Sequence, residues 1–190
     1  MPRRPSFDRD DLISRACAVF WQQGWAGTSL KDLERVLDLR PGSIYAAFGS
    51  KEELYGLALD TYAQEGAARL MEMATDLGPL EALKAHPKLV VAGTQAETQA
   101  CMLAKTFLEL QAQKHPLADR AGAHLSNMEA LFTDLFRQAQ DAGDIAPHHD
   151  VMRLGRRYQS DLLGMRVSAE RTGFDAKAVA QEMADTLAAL

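Results

Sequence analysis

The chain has 190 residues, 47% hydrophobic and 25% charged, with 13 glycines and 7 prolines that fall mostly singly. This excludes a low-complexity polymer and leaves room for one domain, or a small module joined to a larger one. A net charge of −5 excludes a uniformly basic surface, and two cysteines, Cys17 and Cys101, are too few and too far apart for a disulfide framework.

The basic start, with Arg3 and Arg4, leads into acidic amphipathic sequence instead of the apolar core of a signal peptide. No apolar run approaches the roughly 20 residues of a membrane span, so the expectation is a soluble, cytoplasmic protein without a membrane partner. Leu12, Ala16, Val19 and Phe20 recur at helical spacing and predict a first helix over about 8–23, ended by Gly24. Ser29, followed three residues later by Asp32, caps a second helix that buries Leu30, Leu33, Val36 and Leu37. Arg40, ahead of a proline, is disfavoured in helical conformation. Pro41 therefore opens a third helix, 41–48, that Gly49 closes. Ser50, with Glu53 at the capping-box position, starts a long fourth helix reaching about residue 75.

Beyond Gly78-Pro79 the spacing predicts helices over about 80–86 (stopped at His86-Pro87), 89–113, 117–142, 151–172 and 175–189. The fold class is therefore all-α: an N-terminal three-helix helix-turn-helix domain, 1–56, then a C-terminal helical domain, 57–190. No internal repeat is visible. Charge divides between them. Residues 1–56 hold eight Lys/Arg and eight Asp/Glu, net zero, leaving thirteen and eighteen, net −5, behind them.

The short third helix carries the chemistry. Ile44 and Phe48 share its inner face, while Ser43, Ala46 and Ala47 leave an outer face of small or polar groups suited to a major groove roughly 12 Å wide. Ser43 can bond a base edge, the alanine methyls can meet thymine methyls, and Arg40 can reach guanine or phosphate. Thr28, Tyr45 and Lys51 suit phosphate oxygens, and Arg3 and Arg4 suit a basic arm.

The stretches from Gly24 to Leu33 and from Pro41 to Leu54 resemble the DNA-binding domain of TetR-family transcriptional regulators. The shared pattern is a glycine, a Thr-Ser pair opening helix two, then a small residue, Tyr45, two variable positions, Phe48, a short turn and Lys51-Glu52-Glu53-Leu54. The resemblance covers about 8–56. It implies a homodimeric, all-helical regulator, usually a repressor, that binds a palindromic double-stranded operator and a small-molecule effector. Its DNA contacts carry over to Thr28, Arg40, Pro41, Gly42, Ser43, Tyr45, Ala46, Ala47 and Lys51. Leu37-Asp38 departs from the usual Ala-Gly, although Asp tolerates left-handed backbone.

The C-terminal domain offers Tyr62, Cys101, Met102, Phe107, His124, Met128 and Tyr158 as candidates to bind an effector. The segment from Gln99 to Leu103 resembles a Gly-Cys-Leu-Leu stretch in a TetR subgroup that includes electrophile sensors. A helix start and Lys105 nearby would activate the Cys101 thiol; the alternative is a small core residue. Leu154, Leu162, Met165, Val179, Met183 and Leu187, on the last two helices, are candidates for a self-complementary dimer seam, with Gly155 and Gly164 allowing close approach. His148-His149 lacks the further ligands of a metal site. No cofactor is implied. Two other classes stay open: a helical protein–protein adaptor, and a thiol-dependent enzyme centred on Cys101.

Overall fold

A computed structural model describes residues 8–92 and 98–190; Arg3 and Arg4, expected as a basic arm, lie outside them. The described residues form nine α-helices and no strand: α1 Arg9–Gly27, α2 Leu30–Leu37, α3 Pro41–Phe48, α4 Lys51–Leu77, α5 Pro79–Ala92, α6 Met102–Leu110, α7 Pro116–Ala142, α8 Val151–Ser168 and α9 Ala176–Leu187.

Local chemistry sets the head. The Ser29 hydroxyl accepts from the Asp32 N–H, and the Asp32 carboxylate accepts from the Ser29 N–H at 2.9 Å, closing the box at the start of α2. Asp38 takes left-handed backbone, φ 53°, where α2 ends. Pro41 is the first residue of α3, Gly49 (φ 79°) ends it, and Ser50 caps α4 through the Glu53 N–H at 3.0 Å.

Packing divides into two buried clusters bridged by α4, whose 27 residues span about 40 Å. One joins Leu12, Phe20, Leu33, Leu37, Ile44 and Phe48 of the head to Tyr55 and Leu59 of α4, Leu103 and Leu110 of α6 and Leu117 of α7. It continues without a gap across residue 56. The other gathers Leu70, Leu83, Phe132, Phe136, Tyr158 and Met165.

Two boundaries differ from the sequence expectation. Helix α5 does not stop at His86-Pro87 but runs on to Ala92 with Pro87 inside. A proline there cannot donate to the carbonyl four residues back, Leu83. The Tyr158 hydroxyl donates to that carbonyl instead, at 2.9 Å, so the gap is closed from α8.

The expected helix over 89–113 is also corrected: α6 begins only at Met102. Residues 98–100, just before it, are held out of a helix by long-range partners. Glu170 accepts from the Thr98 hydroxyl and the Gln99 and Ala100 N–H groups, Arg166 donates to the Gln99 carbonyl, and the Trp21 indole donates to the Ala100 carbonyl. These bonds outcompete a local helix.

Candidate nucleic-acid interface

Helix α3 rests on Ile44 and Phe48, both buried, and turns Gly42, Ser43, Tyr45, Ala46 and Ala47 to solvent. Tyr45 is 48% exposed. Arg40, also exposed, is the residue before the first turn of α3, and Pro41 is partly covered. Apart from Tyr45, the outward face of α3 carries only small side chains. Acidic groups of the head are engaged near its edges, Asp32 with Ser29 and Arg35, Asp8 at the α1 cap, and Asp11 with Arg15.

Two of the expected contacts are placed differently. Thr28 is 1% exposed, and its hydroxyl donates to the Gly24 carbonyl at 2.7 Å, so it closes the end of α1 instead of facing phosphate. Lys51 also turns inward. Its ammonium donates to the Trp25 carbonyl at 2.6 Å and lies 4.2 Å from the centre of the Trp25 ring. Burial there lowers its pKa, with the Glu109 carboxylate opposing.

The candidate effector residues do not share one cavity. Tyr62, Cys101, Met102 and Phe107 belong to the head-side cluster, Met128 and Tyr158 to the distal one. His124 bonds Asp60 at 2.7 Å, beside Arg120, which donates to the same carboxylate. Tyr158 is 4% exposed and is occupied by Leu83 and His86. A groove of about 490 Å³ runs between α6, α7 and α8, and of the seven candidates only Phe107 lines it.

Cys101 is 6% exposed at the start of α6, beside the Tyr62 phenol. That phenol is pushed up by burial and by Cys101, while hydrogen bonds with Arg166 and the Met102 backbone pull the other way. Lys105, expected to activate the thiol, instead directs its ammonium to the Trp21 and Gln22 carbonyls at 2.8 and 3.3 Å. Cys17 is held as a thiol, pushed up to about 12 by burial and by Glu65.

The residues expected at a seam on the last two helices also pack within the chain. Leu162, Met165 and Leu187 are buried inside this chain, and Leu154, Val179 and Met183 pack on the same cluster. Helix α9 lies along α5 and buries Ala180, Ala184 and Leu187, while Val179 and Met183 stay partly exposed. Gly155 is pressed against Thr133 of α7, whereas Gly164 faces open space on the outer side of α8 beside exposed Val167. The inward face of α8 had the stronger apolar spacing, which is why the sequence pointed to it. Among the described residues no helix is long and apolar enough to cross a membrane, and no three His, Cys, Asp or Glu side chains gather as a metal site.

Comparison with known proteins agrees with this geometry. The family described as bacterial regulatory proteins, tetR family, matches residues 12–58, and the tetracyclin repressor-like C-terminal domain matches 79–176. The chain is 29% identical over 167 residues to the HTH-type transcriptional repressor ComR of Escherichia coli K12, covering 86% of this chain and 80% of that protein. A TetR-family regulator from Cytophaga hutchinsonii superposes with a TM-score of 0.84 over 96% of this chain and 94% of its own, at 22% identity, a likeness of fold. The TetR-family regulator CifR, solved as a cysteine mutant complexed with 26-base-pair operator DNA, superposes with a TM-score of 0.81 at 28% identity, over 97% and 98% of the two chains. With both halves matched and α3 presenting a bare outer face, the chain belongs to the TetR family and is a DNA-binding transcriptional regulator.

Proposed function

We propose that the chain is a homodimeric repressor whose two α3 helices enter successive major grooves of a two-fold operator. The outward face of α3 carries this reading: Ser43, Tyr45, Ala46 and Ala47 are exposed on a helix whose other face is fully buried. Arg40, Pro41 and Gly42 form its leading end, where guanine and phosphate are within an arginine's reach. The 1–56 head reads DNA in this account, and the 57–190 part responds to an effector and pairs with a second copy. The outer side of α8, with Gly164 and Val167, supports the pairing, because the inner side is already spent.

The effector is a small molecule that prefers the arrangement of heads incompatible with the operator, since a ligand indifferent to the two arrangements would shift nothing. A Cys101 electrophile sensor is a second form of the same reading, supported by the thiol's place at the start of α6 between Tyr62 and Met102.

The test is binding to duplexes selected from a random library, followed by fluorescence anisotropy against salt. Tyr45→Ala and Arg40→Ala should each weaken binding about tenfold or more, and Arg40→Ala should also reduce the salt slope by roughly 0.9. If the native chain enriches no duplex, or both variants bind as it does, the DNA reading is lost. Val167→Asp should shift a sedimenting dimer towards monomer; an unchanged dimer would place the seam elsewhere. Cys101→Ser should abolish release of DNA by an enal, and full retention of release would end the sensor form.

A further inference from the structure

Helix α1 is broken one turn before its end. Gly24 sits at φ 74°, ψ −175°, a conformation that side chains with a Cβ essentially do not adopt. In an unbroken helix the Trp25 N–H would meet the Trp21 carbonyl, and the Ala26 N–H would meet the Gln22 carbonyl. The turn at Gly24 separates both pairs.

All four groups find their partners on α6. Lys105 Nζ donates to the Trp21 carbonyl at 2.8 Å and to that of Gln22 at 3.3 Å. Glu109 Oε2 accepts from the Trp25 N–H at 3.1 Å, and its Oε1 accepts from the Ala26 N–H at 2.8 Å. Lys105 and Glu109 are one turn apart on one face of α6, so the cation meets the carbonyls and the carboxylate meets the amides. The glycine is required by the bend, and it also keeps the contact uncrowded, since a Cβ at position 24 would stand 3.0 Å from Glu109 Oε2.

We propose that Lys105 and Glu109 are the positioning residues through which the C-terminal part sets the DNA head. They splice the break in α1 and so fix the Trp25–Thr28 turn that leads into α2. This rests on the DNA reading above for its consequence and on the geometry alone for the splice. Neither side chain touches the α3 face, so their loss changes where the head sits without removing a phosphate contact. The upstream end of α6 is tied through Thr98, Gln99 and Ala100 to Glu170 and Arg166 near the end of α8. Displacement of that tie is therefore transmitted along α6 to the splice.

Two readouts on the full chain test this in Glu109→Ala, Glu109→Gln and Lys105→Met. In hydrogen exchange, the Trp25 and Ala26 amides should exchange about tenfold or more faster in Glu109→Ala, with Leu33 and Leu37 unchanged, and Glu109→Gln should fall between. In anisotropy against a selected duplex, Glu109→Ala and Lys105→Met should each weaken binding about tenfold with the salt slope unchanged. Unaltered exchange at Trp25 and Ala26 overturns the splice. Altered exchange with unaltered affinity, or a slope that falls by roughly 0.9 as for a lost phosphate contact, overturns the positioning role. If the native chain binds no duplex, the DNA reading fails, and with it the positioning role, while exchange still decides the splice. If Glu109→Ala does not fold, Glu109→Gln carries both readouts.

Discussion

Lys51, the first residue of α4, donates its ammonium to the Trp25 carbonyl at the end of α1, 2.6 Å away, and covers the indole it comes from. The same indole meets Tyr55 edge-on at 5.4 Å and lies 5.2 Å from the His115 ring. Trp25 is thus the point at which α1, α4 and the start of α7 converge. Replacing Lys51 by Met should cost about 2 kcal/mol of stability, the sum expected of one charged hydrogen bond and an exposed cation–π contact. The salt slope of DNA binding should stay put. A slope lower by about 0.9 would show that another N–H of the ammonium reaches a phosphate.

His86 predicts how stability follows pH. Burial, with Arg166 and Arg69 adding repulsion, pushes its pKa down from 6.5 to about 4. Between those values the unfolded chain holds a proton that the folded chain refuses, so stability is lost as pH falls through the window. From pH 7.5 to 5 the loss from this group is about 2 kcal/mol. His86→Leu should flatten that slope without orphaning Tyr158, whose hydroxyl still donates to Leu83. Urea titrations at both pH values decide it; equal slopes in the two proteins would assign the pH dependence to other groups.

What was legible in the sequence was local. Ser29 with Asp32, Pro41, Gly49 and Ser50 each act within four residues of themselves, so the bounds of α2 and α3 follow from the residues alone. Asp38 behaves as a short polar side chain should where the backbone turns left-handed. What was hidden is set by distant partners. Nothing near Thr28 says that its hydroxyl turns back to Gly24, and nothing near Pro87 says that Tyr158 will close its gap. The last two helices show the same limit from another side. An apolar stripe records that a face is buried but not by what, and on α9 the part formed by Ala180, Ala184 and Leu187 is buried within the chain, where α9 lies along α5.

The two glycines of α8 should respond oppositely to alanine. A Cβ at Gly155 would stand 3.0 Å from both the Cα and the N of Thr133, backbone atoms that cannot swing aside. Gly155→Ala should therefore destabilise the chain by about 2 kcal/mol through forced separation of α7 and α8. Gly164 has no neighbour within 4 Å, so Gly164→Ala should stabilise the isolated chain by about 0.5–1 kcal/mol through helix propensity. Thermal melts of both variants at low concentration measure the contrast, and a destabilised Gly164→Ala chain would contradict the open face.

Glu170 gives the last expectation. One carboxylate oxygen accepts three hydrogen bonds, from the Thr98 hydroxyl at 2.7 Å and the Gln99 and Ala100 N–H groups at 2.7 and 2.6 Å. Burial is the largest single influence and raises its pKa, but these bonds and Lys105 together outweigh it and hold the group below its ordinary 4.5. A depressed carboxyl stabilises the fold above the unfolded value and loses that contribution as pH falls through the folded one. Glu170→Gln should cost roughly 1 kcal/mol at pH 7, the low end for bonds to a charged group because the carboxylate is largely exposed. The gap from the native chain should then close as pH drops below 4.5. A gap that stays constant with pH would mean that the amide holds Thr98, Gln99 and Ala100 as well as the carboxylate does, and that the missing stability comes from packing.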